Sequence, residues 1–199
     1  VDGNNTVQGQ PETAPTHVIA LGTSLSGPNT VIRLLTRLSP LLPAAVVVVQ
    51  EIAPQILPAF VERFNQHVRW RIEMAQDGQV LRQGTCYISS NEYALSIGTN
   101  DEDEPCLELS GTVEQPLNLL FDTASRCFHE HAIGVMLTGV GDDGAEGFAL
   151  IKHSKGTTIA QDMQCCVYPN LTQNAIDKGT VSTVVEEQHL PGAIEASIL

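Results

Sequence analysis

Apolar and polar residues fall in blocks along this chain, and the blocks read alternately as strands and helices. The first, "HVIALG", is an unbroken apolar run that stops on Gly22, which predicts a strand covered on both faces. Residues 29–38, "NTVIRLLTRL", then bring Val31, Leu34, Leu35 and Leu38 to one face at helical spacing. "AAVVVVQ" predicts a second buried strand and "ILPAFVERFNQH" a second helix, while "VRWRIEMA" alternates as an exposed-edge strand does. "GTCYISS", "YALSIGT" and "CLELS" are short strands, with "DEDEP" at 101–105 a solvated loop. Beyond them come a helix ("PLNLLFDTASRCFHEH"), a buried strand ("AIGVMLTG"), a helix ("AEGFALIKHS"), a strand ("GTTIAQD"), a helix closed by Gly179 ("NLTQNAIDKG"), the strand "VSTVV" and a C-terminal helix. Such alternation predicts an α/β fold: a doubly wound, mainly parallel sheet with helices on both faces, carrying a small antiparallel insert near residues 70–110.

Residues 1–16 are polar, rich in Pro, Gly and Asn, and without periodicity. They read as a disordered leader or interdomain linker, and 17–199 as the folded domain. A hydrophobic content of 42% and a charged content of 17% suit a globular protein. The net charge of -13 argues against a nucleic-acid or anionic membrane partner, and no apolar run is long enough for membrane insertion. Five cysteines without a CxxC pair suggest reduced thiols in a cytoplasmic compartment and no zinc site.

Sheets of this kind carry their chemistry at the carboxyl ends of strands, near a switch in strand order. Three strand ends offer candidates. "GTSLSGPN" follows the first strand as a turn of small residues, in which Ser24 is a nucleophile if the turn's backbone N–H groups, Leu25 among them, stabilise an oxyanion. The same residues suit two simpler roles: Ser24 or Ser26 capping the next helix, or the turn cradling a phosphate. The latter lacks a P-loop lysine, a G-x-G-x-x-G fingerprint and nearby basic residues. The second strand delivers Gln50 and Glu51. "LTGVGDDGAEG" crowds glycines around Asp142 and Asp143, where one carboxylate caps a helix or Asp143 orients a catalytic base, while calcium would need more carboxylates at other spacings.

The order of "VIALGTSLSGP", "PAAVVVVQEIAP", "VLRQGTCYIS", "LLFDTAS", "IGVMLTGVGDDGAEG", "GTTIAQD" and "AIDKGTV" resembles the catalytic domain of the chemotaxis protein-glutamate methylesterase family, over roughly residues 17–196. The resemblance implies hydrolysis of glutamate methyl esters, and in some members deamidation of glutamines, on the cytoplasmic helices of methylated chemoreceptors. It also implies a Ser-His-Asp triad without metal or cofactor, and commonly an upstream receiver domain. Matched to the family's motifs, the serine falls on Ser24, the aspartate on Asp143, and the residue whose N–H serves the oxyanion on Val140.

The family's histidine stands in V-V-Q-H, and that position here is Glu51. Neutral imidazole accepts the serine proton near pH 7 and returns it to the leaving group, whereas glutamate, with a reference pKa of about 4.3, is a poor base there. Leu25 and Ser26 replace the family turn's Thr and Gly, and residues 167–172 replace its V-V-F-G-M-P. His17, His67, His129, His131, His153 and His189 all sit outside the expected site. Two functions follow as expectations: a carboxylic ester hydrolase or amidase of the family, active or weakly active, in one version working at acid pH through a proton shared by Glu51 and Asp143, or a pseudoenzyme that binds receptor or partner.

Overall fold

A computed structural model describes residues 13–25 and 27–199. Six helices and nine strands are laid down in the order β1 (His17–Thr23), α1 (Gly27–Arg37), β2 (Ala44–Gln50), α2 (Leu57–Asn65), β3 (Arg71–Met74), β4 (Thr85–Ser90), β5 (Ala94–Thr99), β6 (Pro105–Ser110), α3 (Pro116–Phe128), β7 (Ala132–Met136), α4 (Ala145–His153), β8 (Thr157–Gln161), α5 (Asn170–Asp177), β9 (Thr183–Val185) and α6 (Leu190–Ala196). Seven strands form one parallel sheet in the order β3-β4-β2-β1-β7-β8-β9. The doubly wound expectation therefore holds.

Alternation along each strand decides which helices cover which face. Val18, Ala20, Ala45, Val47 and Val49 point into a cluster with Leu120 and Phe121 of α3, Phe148 of α4 and Leu171 of α5. Ile19, Leu21, Val46 and Val48 point the other way, against Leu34 and Leu35 of α1, Phe64 of α2 and Ile194 of α6. Both faces of β2 being buried is why its sequence is a near-continuous valine run with no polar alternation.

The antiparallel insert is narrower than its expected span of 70–110. Antiparallel pairing joins β5 to β6 and, by one bridge, Val80 to Cys106, while β3 and β4 belong to the parallel sheet. Short apolar runs such as "GTCYISS" look alike in either setting, so periodicity does not separate them. The leader expected over 1–16 lies mostly outside the described residues. Of its last four, Thr13 O accepts the Gln83 N–H at 2.9 Å, Pro15 is buried, and the Thr16 N–H donates to Pro43 O at 3.0 Å, so these residues pack onto the domain. Among the described residues no helix is long and apolar enough to cross a membrane.

The edge strand β3 is protected by a side chain. Asn65, the last residue of α2, accepts the Ile72 N–H and donates to the Ile72 carbonyl, each at 2.9 Å, occupying backbone groups that a further strand would use. Asn65→Ala is expected to cost about 1–3 kcal/mol, two net hydrogen bonds, and to increase self-association on mild heating. Urea unfolding together with light scattering checks both effects.

Candidate functional site

Strand order reverses beside β1: β2, β4 and β3 lie to one side of it, and β7, β8 and β9 to the other. The carboxyl ends of β1, β2 and β7 therefore meet at the switch point. Ser24 follows β1, Glu51 follows β2, and residues 137–144 follow β7. The structure brings Ser24, Glu51, Val140 and Asp143 to the walls of one cleft of about 240 Å³, together with Asn91, Glu114, Leu117 and Leu171. Leu25 does not line it, and its side chain is 43% exposed. Every charged residue lining the cleft (Glu51, Glu114, Asp142 and Asp143) is acidic.

Ser24 is only 8% exposed. Its Oγ accepts the Val140 N–H at 2.7 Å and makes a long contact of 3.5 Å with the Val140 carbonyl. Among the described residues, the hydroxyl bonds across to the β7 turn. Ser26, the other capping candidate, lies outside the described residues. The amide expected to serve an oxyanion is held by the serine itself at rest. Rotation of Oγ towards a substrate carbonyl would free that N–H for the oxygen on which charge develops.

Neighbouring bonds fix this geometry. Thr138 O accepts the Thr23 hydroxyl at 2.9 Å and the Ser24 N–H at 3.3 Å. Gln50, buried at the end of β2, donates to Ser24 O at 2.8 Å and to Glu51 O at 3.2 Å. On the outer side, the Gly139 N–H donates to Tyr168 O at 2.8 Å, and the Leu171 N–H donates to Gly139 O at 3.1 Å. The segment 167–172, which replaces the family's V-V-F-G-M-P, is thereby strapped to the turn that carries Val140.

The CheB methylesterase family model matches residues 19–194. The chain belongs to this family. It is 34% identical over 175 residues to the protein-glutamate methylesterase/protein-glutamine glutaminase of Colwellia psychrerythraea, covering 83% of this chain and 45% of the relative. It is 32% identical over 184 residues to a second such protein, from Anaeromyxobacter dehalogenans, covering 91% and 53%. The chain spans about half the length of the curated relatives it matches. The crystal structure of the Thermotoga maritima CheB methylesterase catalytic domain superposes with a TM-score of 0.84 at 24% identity, covering 92% of this chain and 98% of that one, which shows the shared fold.

In this member of the CheB methylesterase family, Asp143 is engaged with α3. Its Oδ2 accepts the Leu117 N–H at 2.7 Å and its Oδ1 the Asn118 N–H at 3.0 Å. It caps that helix from a distant turn, since the residue before Pro116, Gln115, supplies no side-chain cap. Burial pushes its carboxyl above the usual range, opposed by these backbone donors. A raised carboxyl pKa favours the folded state at low pH, and that advantage fades as pH rises through the folded value. The unfolding free energy of the parent relative to Asp143→Asn is accordingly expected to fall as pH rises from about 3.5 to 6.5. Urea titrations of both proteins across that window check the sign.

Glu51 is exposed at the mouth of the cleft, and its carboxylate has no hydrogen-bond or ion-pair partner among the described residues. Beside burial, the nearby Glu146 charge also pushes the Asp143 carboxyl up. No hydrogen bond joins Glu51 and Asp143 among the described residues. The histidines stay away from the cleft. His17 Nε2 lies 3.1 Å from His131 Nδ1 near the amino ends of the strands, and His129 and His131 line a different hollow there.

Residues that the sequence did not single out complete the site: Thr23, Asn91, Glu114, Thr138 and Gln161. The one usable signal was a polar residue closing an apolar strand, as in "VVVVQ" and "TTIAQ", where a buried amide requires partners.

Proposed function

We propose that this domain engages the glutamate methyl esters and glutamine side chains of chemoreceptor cytoplasmic helices, and that its hydrolytic step is impaired at neutral pH because Glu51 occupies the seat of the base. One observation carries this: in a single cleft, Ser24 Oγ rests on the Val140 N–H while the position expected to hold imidazole presents a carboxylate without a partner among the described residues. The names of the relatives, protein-glutamate methylesterase/protein-glutamine glutaminase, support the substrate class.

In the proposed reaction Ser24 Oγ leaves the Val140 amide and adds to the ester carbonyl. The oxyanion takes up the freed N–H, and collapse expels methanol to leave an acyl-serine for water to open. Two proton transfers, from Ser24 and to the departing methoxide, call for a group that accepts and then donates near pH 7. Imidazole does both, and a glutamate carboxylate is much the weaker base. Loss of a triad base costs on the order of 10⁶-fold in kcat, with about 10³–10⁴-fold over water remaining from the oxyanion donors and binding.

A second role, as a binding module, is favoured by the exposed apolar residues of the turns about the cleft: Leu25, Val140, Val167 and Tyr168. An upstream receiver domain in a cytoplasmic two-component pathway belongs to the same proposal, supported by relatives about twice as long as this chain. Methanol release from methylated receptor fragments between pH 4 and 8, compared with Ser24→Ala, tests the assignment. The expected result is receptor binding with no Ser24-dependent turnover at pH 7.5. Neutral-pH turnover at the rate of the Colwellia relative would overturn the impairment, and absence of receptor binding would overturn the substrate class.

A further inference from the structure

We propose that Gln161 is a positioning residue for the Ser24 site: it sets the turn that offers the Val140 N–H and ties that turn to an ion pair between α1 and the segment before α6. The proposal rests on the role given to Ser24 above, but its test does not depend on turnover.

Gln161 closes β8 and is fully buried. Its Oε1 accepts the Thr138 N–H at 3.1 Å, and its Nε2 donates to Cys165 O at 3.1 Å and to Glu187 Oε2 at 3.3 Å. The other end of Thr138, its carbonyl, receives the Ser24 N–H and the Thr23 hydroxyl. Thr138 is therefore gripped from both sides, two residues before the amide on which Ser24 Oγ rests. Glu187 is held in turn by the Arg33 guanidinium, through Nε to Oε1 and through Nη2 to Oε2 at 3.0 Å.

A buried amide costs about 1–3 kcal/mol if left unbonded, so a residue needed only to fill the end of β8 would more economically be apolar. The three side-chain bonds of Gln161 instead join the turn at Thr138 to Cys165 and to the Arg33-paired Glu187. Gln50 makes a useful contrast at the opposite wall. It is also buried and grips Ser24 O, but its Oε1 has no partner among the described residues and nothing charged anchors it. Gln161 is the anchored clamp, and the Arg33-paired carboxylate of Glu187 stands at its far end.

That carboxylate makes the role testable. Gln161→Glu keeps an oxygen for the Thr138 N–H but sets a second carboxylate against Glu187 Oε2, where a donor stood. When one of the two is protonated, the bond re-forms. The charged or titratable groups facing this position are Glu187, Arg33 and the neighbouring Asp162, with the Cys165 and Cys166 thiols beside them. Two close carboxylates raise one pKa, which brings the protonated state within reach near pH 5.

The experiment is amide hydrogen exchange by NMR, corrected for intrinsic rates, at pH 7.5 and pH 5. In Gln161→Glu the Val140 and Ser24 amides are expected to lose at least tenfold of their protection at pH 7.5 and to recover most of it at pH 5, while β1 and β2 amides hold steady. Gln161→Met, which cannot respond to pH, is expected to show the loss at both. If Gln161→Glu unfolds at pH 7.5, refolding at pH 5 with Val140 protected supports the proposal, and failure to fold at both overturns it. Protection within twofold of the parent at both pH values, loss without recovery, or loosening spread evenly through the sheet would overturn it too. Failure of the ester-cleaving role would show only in methanol release.

Discussion

Replacing Glu51 with histidine is expected to raise Ser24-dependent ester hydrolysis at pH 7.5 by at least about 10²-fold. The scale comes from the non-additivity of catalytic triads: losing the base is about as costly as losing all three members, roughly 10⁶-fold, whereas losing only the aspartate costs roughly 3 × 10⁴-fold. A serine–histidine pair with no orienting carboxylate is thus about 10²-fold better than no pair. That is the floor if Asp143 stays wholly committed to α3. The gain is larger if Asp143 also orients the imidazole: with the Leu117, Asn118 and Gly144 N–H groups bonded, its carboxylate keeps one lone pair for that purpose. The cleft leaves room for the exchange, because the Glu51 carboxylate has no partner to lose among the described residues. Activity of Glu51→His should rise with pH through the ordinary histidine range near 6.5 and vanish on adding Ser24→Ala. A folded Glu51→His protein with less than a tenfold gain would mean that the defect lies elsewhere, first of all in the turn at Leu25.

Much of the framework was legible because it depends on short-range pattern. The valine run of β2 and the helical spacing of Val31, Leu34, Leu35 and Leu38 each have one physical solution, burial on two faces or on one stripe. The three strand ends that carry candidates were legible for the same reason, since parallel sheets place functional turns there. What escaped was pairwise and long-range. That β3 and β4 join the main sheet depends on partners distant in sequence. That Asp143 caps α3 depends on Leu117 and Asn118, 26 and 25 residues before it. Gln161 and Thr138 are 23 residues apart, and nothing in the spacing "TTIAQ" announces which turn the amide will hold.

Gly139→Ala is expected to be strongly damaging, and for a reason distinct from that of its neighbour Gly141. A Cβ at Gly139 would stand 2.7 Å from Ser24 Oγ and 2.9 Å from Ser24 N, and closer still to Leu171 Cδ1. Leu171 is 1% exposed and has little room to withdraw, and Ser24 N belongs to backbone already bonded to Thr138 O. Nor can Gly139 itself retreat without breaking its bonds to Tyr168 O and Leu171 N. Overpacking of this kind costs about 1–3 kcal/mol and a lost hydrogen bond about 1 more, so a loss of about 2–4 kcal/mol is expected, or roughly 5–15 °C in Tm for a domain this size. Gly141 has open space, with Leu171 Cδ2 at 4.0 Å, but a φ of +100°. Its alanine variant therefore pays only backbone strain, about 1–2 kcal/mol. The two mechanisms separate in a double-mutant cycle with Leu171→Ala, which should return part of the Gly139→Ala loss and almost none of the Gly141→Ala loss. The remainder in Gly139→Ala is the clash with Ser24, and it should appear as altered exchange of the Val140 amide even where thermal stability is recovered. Equal losses for the two alanine variants, with no rescue from Leu171→Ala, would show that the turn yields to a methyl group and that the seat of Ser24 is softer than its contacts imply.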